Sequence, residues 1–151
     1  MKIGVIGFGF MGKAFAHSLS SINHYYKKYI PNIEIAGVVT SSLESSRAID
    51  LKRYNITKTY SDTNQLLENE EIESIYIATP NILHYDQVLA AIEAKKNILC
   101  DKPLSINPEQ SKKIIESQRS DKIYQMMFEY RNFPAIREIK SLIEKNKIGD
   151  I

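Results

Sequence analysis

Lys2-Ile3-Gly4-Val5-Ile6-Gly7-Phe8-Gly9-Phe10-Met11-Gly12 is the stretch that decides the fold. Ile3, Val5 and Ile6 make a short apolar run bounded by glycine, the mark of a buried strand. Gly7-x-Gly9-x-x-Gly12 follows at once, and a helical pattern begins near Phe10. In such a loop the first glycine permits a tight turn. The second lets the backbone approach a pyrophosphate, and the third lets helix and strand pack closely. The helix N-terminus then offers unpaired N–H groups and a positive dipole end to phosphates. A lone glycine triplet of this spacing is a weak signal, but one set between a strand and a helix is specific. Glycines kept for turn geometry alone fit that setting less well.

Two other readings of the same residues fail. Gly7 to Lys13 fits G-x-x-x-x-G-K, but Ala14 stands where a P-loop needs a Ser or Thr hydroxyl for Mg²⁺. Lys2, the apolar stretch to Met11 and Ala14-Phe15-Ala16 imitate a signal peptide with its cleavage site. The four glycines at 4, 7, 9 and 12 interrupt that stretch, and Lys13 precedes the supposed site.

Working outward, strand and helix signals alternate. A helix is expected from about Phe10 to Tyr29, closed by Pro31, and a second strand over Ile33 to Val39. Ser41 and Glu44 form a capping-box pair opening a helix to about Tyr54. Thr57 to Tyr60 reads as a third strand, and Asp62 caps a brief helix through Leu67. Ser74 to Ala78 is the fourth strand. Leu83 to Lys95 is helical, with Leu83, Val88, Ala91 and Ile92 inward. Asn97 to Cys100 is the fifth strand. Asn107 caps a helix that has Pro108 at its first position and Gln110 three residues after the cap. Lys122 to Phe128 is the sixth strand, and Pro134 starts a last helix to about Asn146. This alternation predicts an α/β fold, a doubly wound parallel sheet of the Rossmann type with six strands and helices on both faces. One domain is expected over residues 1–147, without internal repeat or linker.

Composition agrees. The 151 residues are 43% hydrophobic and 25% charged, ordinary for a globular protein. A chain of this length buries roughly two-thirds of its unfolded surface. No apolar run reaches the ~20 residues of a membrane span, so no membrane partner is expected. Twenty basic against eighteen acidic residues give +2, and the basic residues are spread along the chain. A nucleic-acid binder usually clusters them on one face, so none is expected as a partner. The single cysteine, Cys100, excludes an internal disulfide and a cysteine metal site. It suits a reducing, cytoplasmic compartment. His17, His24 and His84 have no metal-ligand spacing.

Cofactor choice rests on the end of the second strand, where an Asp or Glu would bind the ribose 2′-OH of NAD. Here Val39-Thr40-Ser41-Ser42 supplies hydroxyls and no acid. A carboxylate would repel a 2′-phosphate and these hydroxyls would not, which places NADP slightly ahead of NAD. No Arg stands in the row, and Arg47, a turn further on, reads better as a solvated helix charge. Ala78-Thr79-Pro80-Asn81 closes the fourth strand, where ligands bind in such sheets, with His84 three residues on. Thr79 and Asn81 are candidate cofactor contacts. His84 reads equally well as a structural residue at a helix start. Asp101-Lys102-Pro103 closes the fifth strand on the same edge, and its lysine could meet a nicotinamide ribose and a substrate hydroxyl or serve only as a surface lysine in a turn. Tyr54-x-x-x-Lys58 has the spacing of short-chain dehydrogenases but lies at a helix end before the third strand, which makes it chance. Tyr25, Tyr26 and Tyr29 read as helix packing and surface.

Five stretches then stand in order: Gly7-Phe8-Gly9-Phe10-Met11-Gly12, Ala78-Thr79-Pro80-Asn81 with His84, Asp101-Lys102-Pro103-Leu104, Tyr130-Arg131 leading to Pro134-Ala135, and Ile148-Gly149-Asp150-Ile151. Together they resemble the N-terminal half of the Gfo/Idh/MocA oxidoreductases, the glucose–fructose oxidoreductase and inositol dehydrogenase family. The resemblance covers essentially the whole chain. It implies a Rossmann domain binding NAD or NADP, and hydride exchange between the nicotinamide and a sugar, inositol or related polyol. It maps the family's E-K-P motif onto Asp101, Lys102 and Pro103, with Lys102 touching the nicotinamide ribose and polarising the substrate oxygen. Asp101 in place of Glu shortens the carboxylate arm by one methylene and puts that group's contact in doubt. It maps the nicotinamide side onto Thr79, Pro80, Asn81 and His84, and the phosphate loop onto Gly7 to Gly12.

The resemblance also implies a second domain that holds the substrate pocket, the Asp and His completing catalysis, and much of the interface of a homo-oligomer. Residues 148–151 read as the first stub of that domain. A general base must lie within hydrogen-bond reach of the substrate, and no residue here is an obvious one. The expectation is a chain that binds the dinucleotide with little turnover alone. A non-catalytic dinucleotide-binding module, or a truncated gene product, is the alternative.

Overall fold

The computed structural model describes residues 1–149 apart from 27, 30 and 41–49. Six strands form one sheet: β1 (Lys2–Ile6), β2 (Glu34–Val39), β3 (Thr59–Tyr60), β4 (Ser74–Ile77), β5 (Asn97–Cys100) and β6 (Tyr124–Met126). Every pairing is parallel, in the order β3-β2-β1-β4-β5-β6. The chain therefore leaves β1 toward one edge and later resumes at β4 on β1's other side. The crevice beyond the carboxyl ends of β1 and β4 is the switch point where such sheets bind ligands.

Side chains alternate across the pleat, with one irregularity in β2 between Ile35 and Gly37, and so divide the core. Ile3, Val5, Ile35, Val38 and Tyr76 face helix α1 (Phe10–Tyr25), where Ala16 and Leu19 meet them and the Phe15 ring stacks on Tyr76 at 4.2 Å. Ile6, Ile75, Ile77, Ile98 and Cys100 point the other way. There they pack on Leu66 and Leu67 of α2 (Thr63–Leu67), on Val88, Ala91 and Ile92 of α3 (His84–Glu93), and on Ile114 of α4 (Pro108–Glu116). Each fully buried aliphatic side chain stabilises the fold by roughly 1.5–3 kcal/mol.

The caps follow their expected chemistry. Asp62 accepts the N–H of Asn64 at 2.6 Å and Asn107 accepts that of Gln110 at 2.9 Å. The Gln110 amide oxygen meets the Ile106 N–H at 3.4 Å, one residue before the cap. Where expectation and structure part, local geometry gives the reason. Helix α1 ends at Tyr25, and strand β6 is trimmed to Tyr124–Met126. Leu83 is 44% exposed rather than inward, because a 3₁₀ turn over Asn81–Leu83 precedes the α-helix and shifts its phase. His84 takes the inward position instead, in line with Val88, Ala91 and Ile92. The Ser41–Glu44 cap lies outside the described residues, and residues 50–53 are helical. The last helix, α5 (Pro134–Glu144), buries no residue, and Ile136, Ile139 and Ile143 are left 41–47% exposed. No described helix is long and apolar enough to cross a membrane.

Candidate functional site

The three glycines of the first loop answer to three different neighbours. Gly7 adopts φ +94°, in the left-handed region that favours glycine. A Cβ there would also lie 2.7 Å from the Ala78 carbonyl oxygen. A Cβ on Gly12 would collide with the Gly7 carbonyl oxygen, so this glycine lets α1 sit against the loop. A Cβ on Gly9 would meet nothing within 4 Å. No part of the fold requires glycine at that position, and the open space lies where α1 begins. Gly9 is the N-cap of α1, provides no side-chain acceptor, and no acid stands in the first turn. That bare helix end fits a pyrophosphate group.

The loop is tied to the sheet by Gly7 N–H donating to Val39 at 2.9 Å and Ala78 N–H donating to Ile6 at 2.8 Å. Between these ends opens a cleft of about 510 Å³. It is lined by Ile6 to Gly9, Val39, Thr40, Ser61, Ala78 to Pro80, Leu83 and Gln87. The site residues expected from sequence that it gathers are Gly7, Phe8, Gly9, Thr40, Thr79 and Pro80. Phe8 is 1% exposed, so its ring belongs to the core. Gly12 is buried beneath the loop, while Phe10, Met11 and Asn81 are exposed outside the cleft lining. Ser41, Ser42 and Arg47 lie outside the described residues.

Ser61, Leu83 and Gln87 line the cleft but are not among the site residues expected from sequence. Ser61 follows β3 directly, so the rule that ligands gather at strand ends would have found it. Gln87 lies one helical turn beyond Leu83, and its amide oxygen accepts the Thr79 hydroxyl at 2.5 Å. Lys13, the residue that imitated a P-loop lysine, pairs with Asp50 at 2.6 Å. His17 and His24 are exposed, and the described residues contain no cluster able to hold a metal. Tyr25, Tyr26 and Tyr29 are surface residues, 57–77% exposed.

The fifth strand delivers the second group. Asp101 N–H donates to Ile77 at 2.9 Å, which fixes the loop after β5 against β4. Asp101 is 8% exposed, whereas Lys102 and Pro103 are exposed, and the peptide between those two is cis. Burial and the Glu129 carboxylate push the Asp101 carboxyl up. His84, a hydrogen bond from Tyr76 and Lys102 pull it partly back. Burial and Asp101 likewise drive the Tyr76 phenol above its ordinary range.

Cys100 lies beneath this loop, 1% exposed, and burial and Asp101 push its thiol up to about 12. The thiolate is the reactive form, and it is scarce at any pH below that value. Native protein treated with iodoacetamide at about pH 8 is expected to stay unlabelled and to react fully once unfolded. Rapid labelling of the native protein would contradict this placement.

His84 departs most from expectation as a cofactor contact. It is 1% exposed, and its two ring nitrogens lie 2.7 Å from the Pro103 carbonyl and 2.9 Å from the Thr79 carbonyl. Neither nitrogen is left to meet a ligand.

Known proteins share this fold. Residues 1–128 match the family model described as an oxidoreductase family with an NAD-binding Rossmann fold. Levoglucosan dehydrogenase of Pseudarthrobacter phenanthrenivorans is 32% identical over all of this chain and 39% of its own length. An inositol 2-dehydrogenase/D-chiro-inositol 3-dehydrogenase of Lactiplantibacillus plantarum is 28% identical over 98% of this chain and 41% of its own. A solved levoglucosan dehydrogenase in complex with NADH and levoglucosan superposes with a TM-score of 0.91 at 30% identity, over all of this chain and 41% of that one. The chain thus spans about two-fifths of the length of these relatives. A family match over residues 1–128, on a sheet of this order with this glycine loop, means that the chain belongs to the Gfo/Idh/MocA oxidoreductases, as their NAD-binding Rossmann domain.

Proposed function

We propose that this chain binds NAD(H) or NADP(H) in the cleft beside Gly9, as the cofactor domain of an oxidoreductase acting on a sugar, inositol or related polyol. The observation that carries the reading is the open space at Gly9, a glycine no protein neighbour demands. The backbone of Gly7 to Gly12 takes the pyrophosphate. Thr40, at the end of β2, meets the adenosine ribose, with Ser41 and Ser42 next in the sequence, and Thr79, Pro80 and Asn81 lead toward the nicotinamide. When bound, the cofactor supplies the hydride acceptor or donor. Lys102, on the exposed loop after β5, binds the nicotinamide ribose and polarises the substrate oxygen, while Asp101 and Pro103 set its loop. The polyol class is supported by the levoglucosan and inositol dehydrogenases among the relatives. The buried, unpaired Cys100 goes with a reducing, cytoplasmic setting.

NADPH is expected to bind slightly more tightly than NADH, because no carboxylate follows β2 at Val39 to Ser42 to repel a 2′-phosphate. Calorimetry of the chain with each reduced cofactor tests both levels. A tenfold preference for NADH, about 1.4 kcal/mol, would remove the NADP assignment and leave the dinucleotide reading standing. No heat from either at millimolar concentration would overturn the reading itself.

A further inference from the structure

His84 lies outside the cleft lining, and its neighbours set it a separate task. Both ring nitrogens face backbone carbonyl oxygens, at 2.7 and 2.9 Å, in a position 1% exposed. A carbonyl oxygen only accepts, and a neutral imidazole carries one N–H. A neutral ring would therefore set one bare nitrogen lone pair against one carbonyl, away from water. Buried polar groups are seldom left in that state. Only a ring protonated at both nitrogens donates to Pro103 and Thr79 together. A buried cation in turn needs an opposite charge. Asp101 is nearly buried and stands two residues before Pro103 on the same loop, where His84 holds its carboxyl down against the effect of burial. The other ionisable groups acting on Asp101 are Tyr76 from β4, its chain neighbour Lys102, and Glu129 from the turn after β6. The Cys100 thiol donates to the Asp101 backbone carbonyl at 3.3 Å and leaves the carboxylate to the others.

The two carbonyls belong to different loops. Thr79 is on the cofactor side after β4, and Pro103 follows Lys102 after β5. Resting on the reading above that gives Lys102 its role, we propose that His84 is a positioning residue: doubly protonated, it clasps the Thr79 and Pro103 carbonyls, holds the Lys102 loop to the cofactor loop, and has Asp101 as counter-ion. Its charge is then structural and does not contact the ligand.

Long-range ¹H–¹⁵N correlation of the histidine rings in the ¹⁵N-labelled chain, near neutral pH, tests the charge. The exposed His17 and His24 serve as references in the same spectrum. Both His84 nitrogens are expected to carry protons, and Asp101→Asn is expected to remove one. A bare nitrogen in the wild type would overturn the clasp. An unchanged ring spectrum in Asp101→Asn would overturn the counter-ion. Positioning is read from backbone amides. NADH added to the wild type is expected to shift the Lys102 and Leu104 amides; in His84→Gln it still binds, and those two shifts are lost. Shifts equal to wild type would reduce His84 to a packing residue. Should NADH not bind the wild type, the dinucleotide reading fails, while the ring spectrum, taken without cofactor, still decides the clasp.

Discussion

Gly9→Val is expected to leave the fold standing and to weaken NADH binding by about 10- to 100-fold. A Cβ on Gly9 meets no protein atom within 4 Å, and φ of −81° is open to any residue. The side chain therefore enters the space where the pyrophosphate must approach the N–H groups of α1. Forcing extra carbons into a fitted site costs typically about 1–3 kcal/mol, and each 1.4 kcal/mol is tenfold in affinity. Valine is also a poorer N-cap than glycine, which costs at most about 1 kcal/mol of stability. Calorimetry with NADH and thermal unfolding followed by circular dichroism check the two halves together. Unchanged affinity would show that Gly9 does not face the ligand.

Gly12→Ala is expected to do the reverse and damage the fold first. Its Cβ would collide with the Gly7 carbonyl oxygen, which is backbone in a loop tied to both β2 and β4. Flexible side chains can swing away from an added methyl group, but this oxygen has no such freedom. Overpacking of this kind costs about 3 kcal/mol, which for a domain of this size lowers the melting temperature by about 6–12 °C. Whatever affinity is lost follows from displacement of α1. A melting temperature within about 2 °C of wild type, a change worth 1 kcal/mol or less, would contradict the assigned packing role. The pair separates a glycine kept for the ligand from one kept for the fold.

The difference between those two glycines also marks how far the sequence could be read. Period and caps are local, so β1, β5 and the Asp62 and Asn107 caps were legible from neighbours a few residues apart. The glycine triplet was legible because its meaning depends on the strand and helix that flank it. The phase of α3 was not, since the Asn81–Leu83 3₁₀ turn exchanged Leu83 for His84 at the inward position. His84 could be read as ligand contact or structural residue, and only the tertiary arrangement brings Thr79 and Pro103 to its two nitrogens. Gln87 was missed for the same reason, because its link to Thr79 joins a helix to a strand end. Cofactor choice was read from Val39 to Ser42, of which Ser41 and Ser42 lie outside the described residues.

A dinucleotide is proposed to occupy the cleft at the β1–β4 switch point. Amide chemical-shift mapping of the chain during titration with NADH tests it most directly. The amides of Gly7, Gly9, Met11, Gly12 and Thr79 are expected to move together with one saturating affinity. Shifts confined to the groove at the opposite end of β2, around Asn23, Asn32 and Asn55, or no shifts at millimolar NADH, would contradict it.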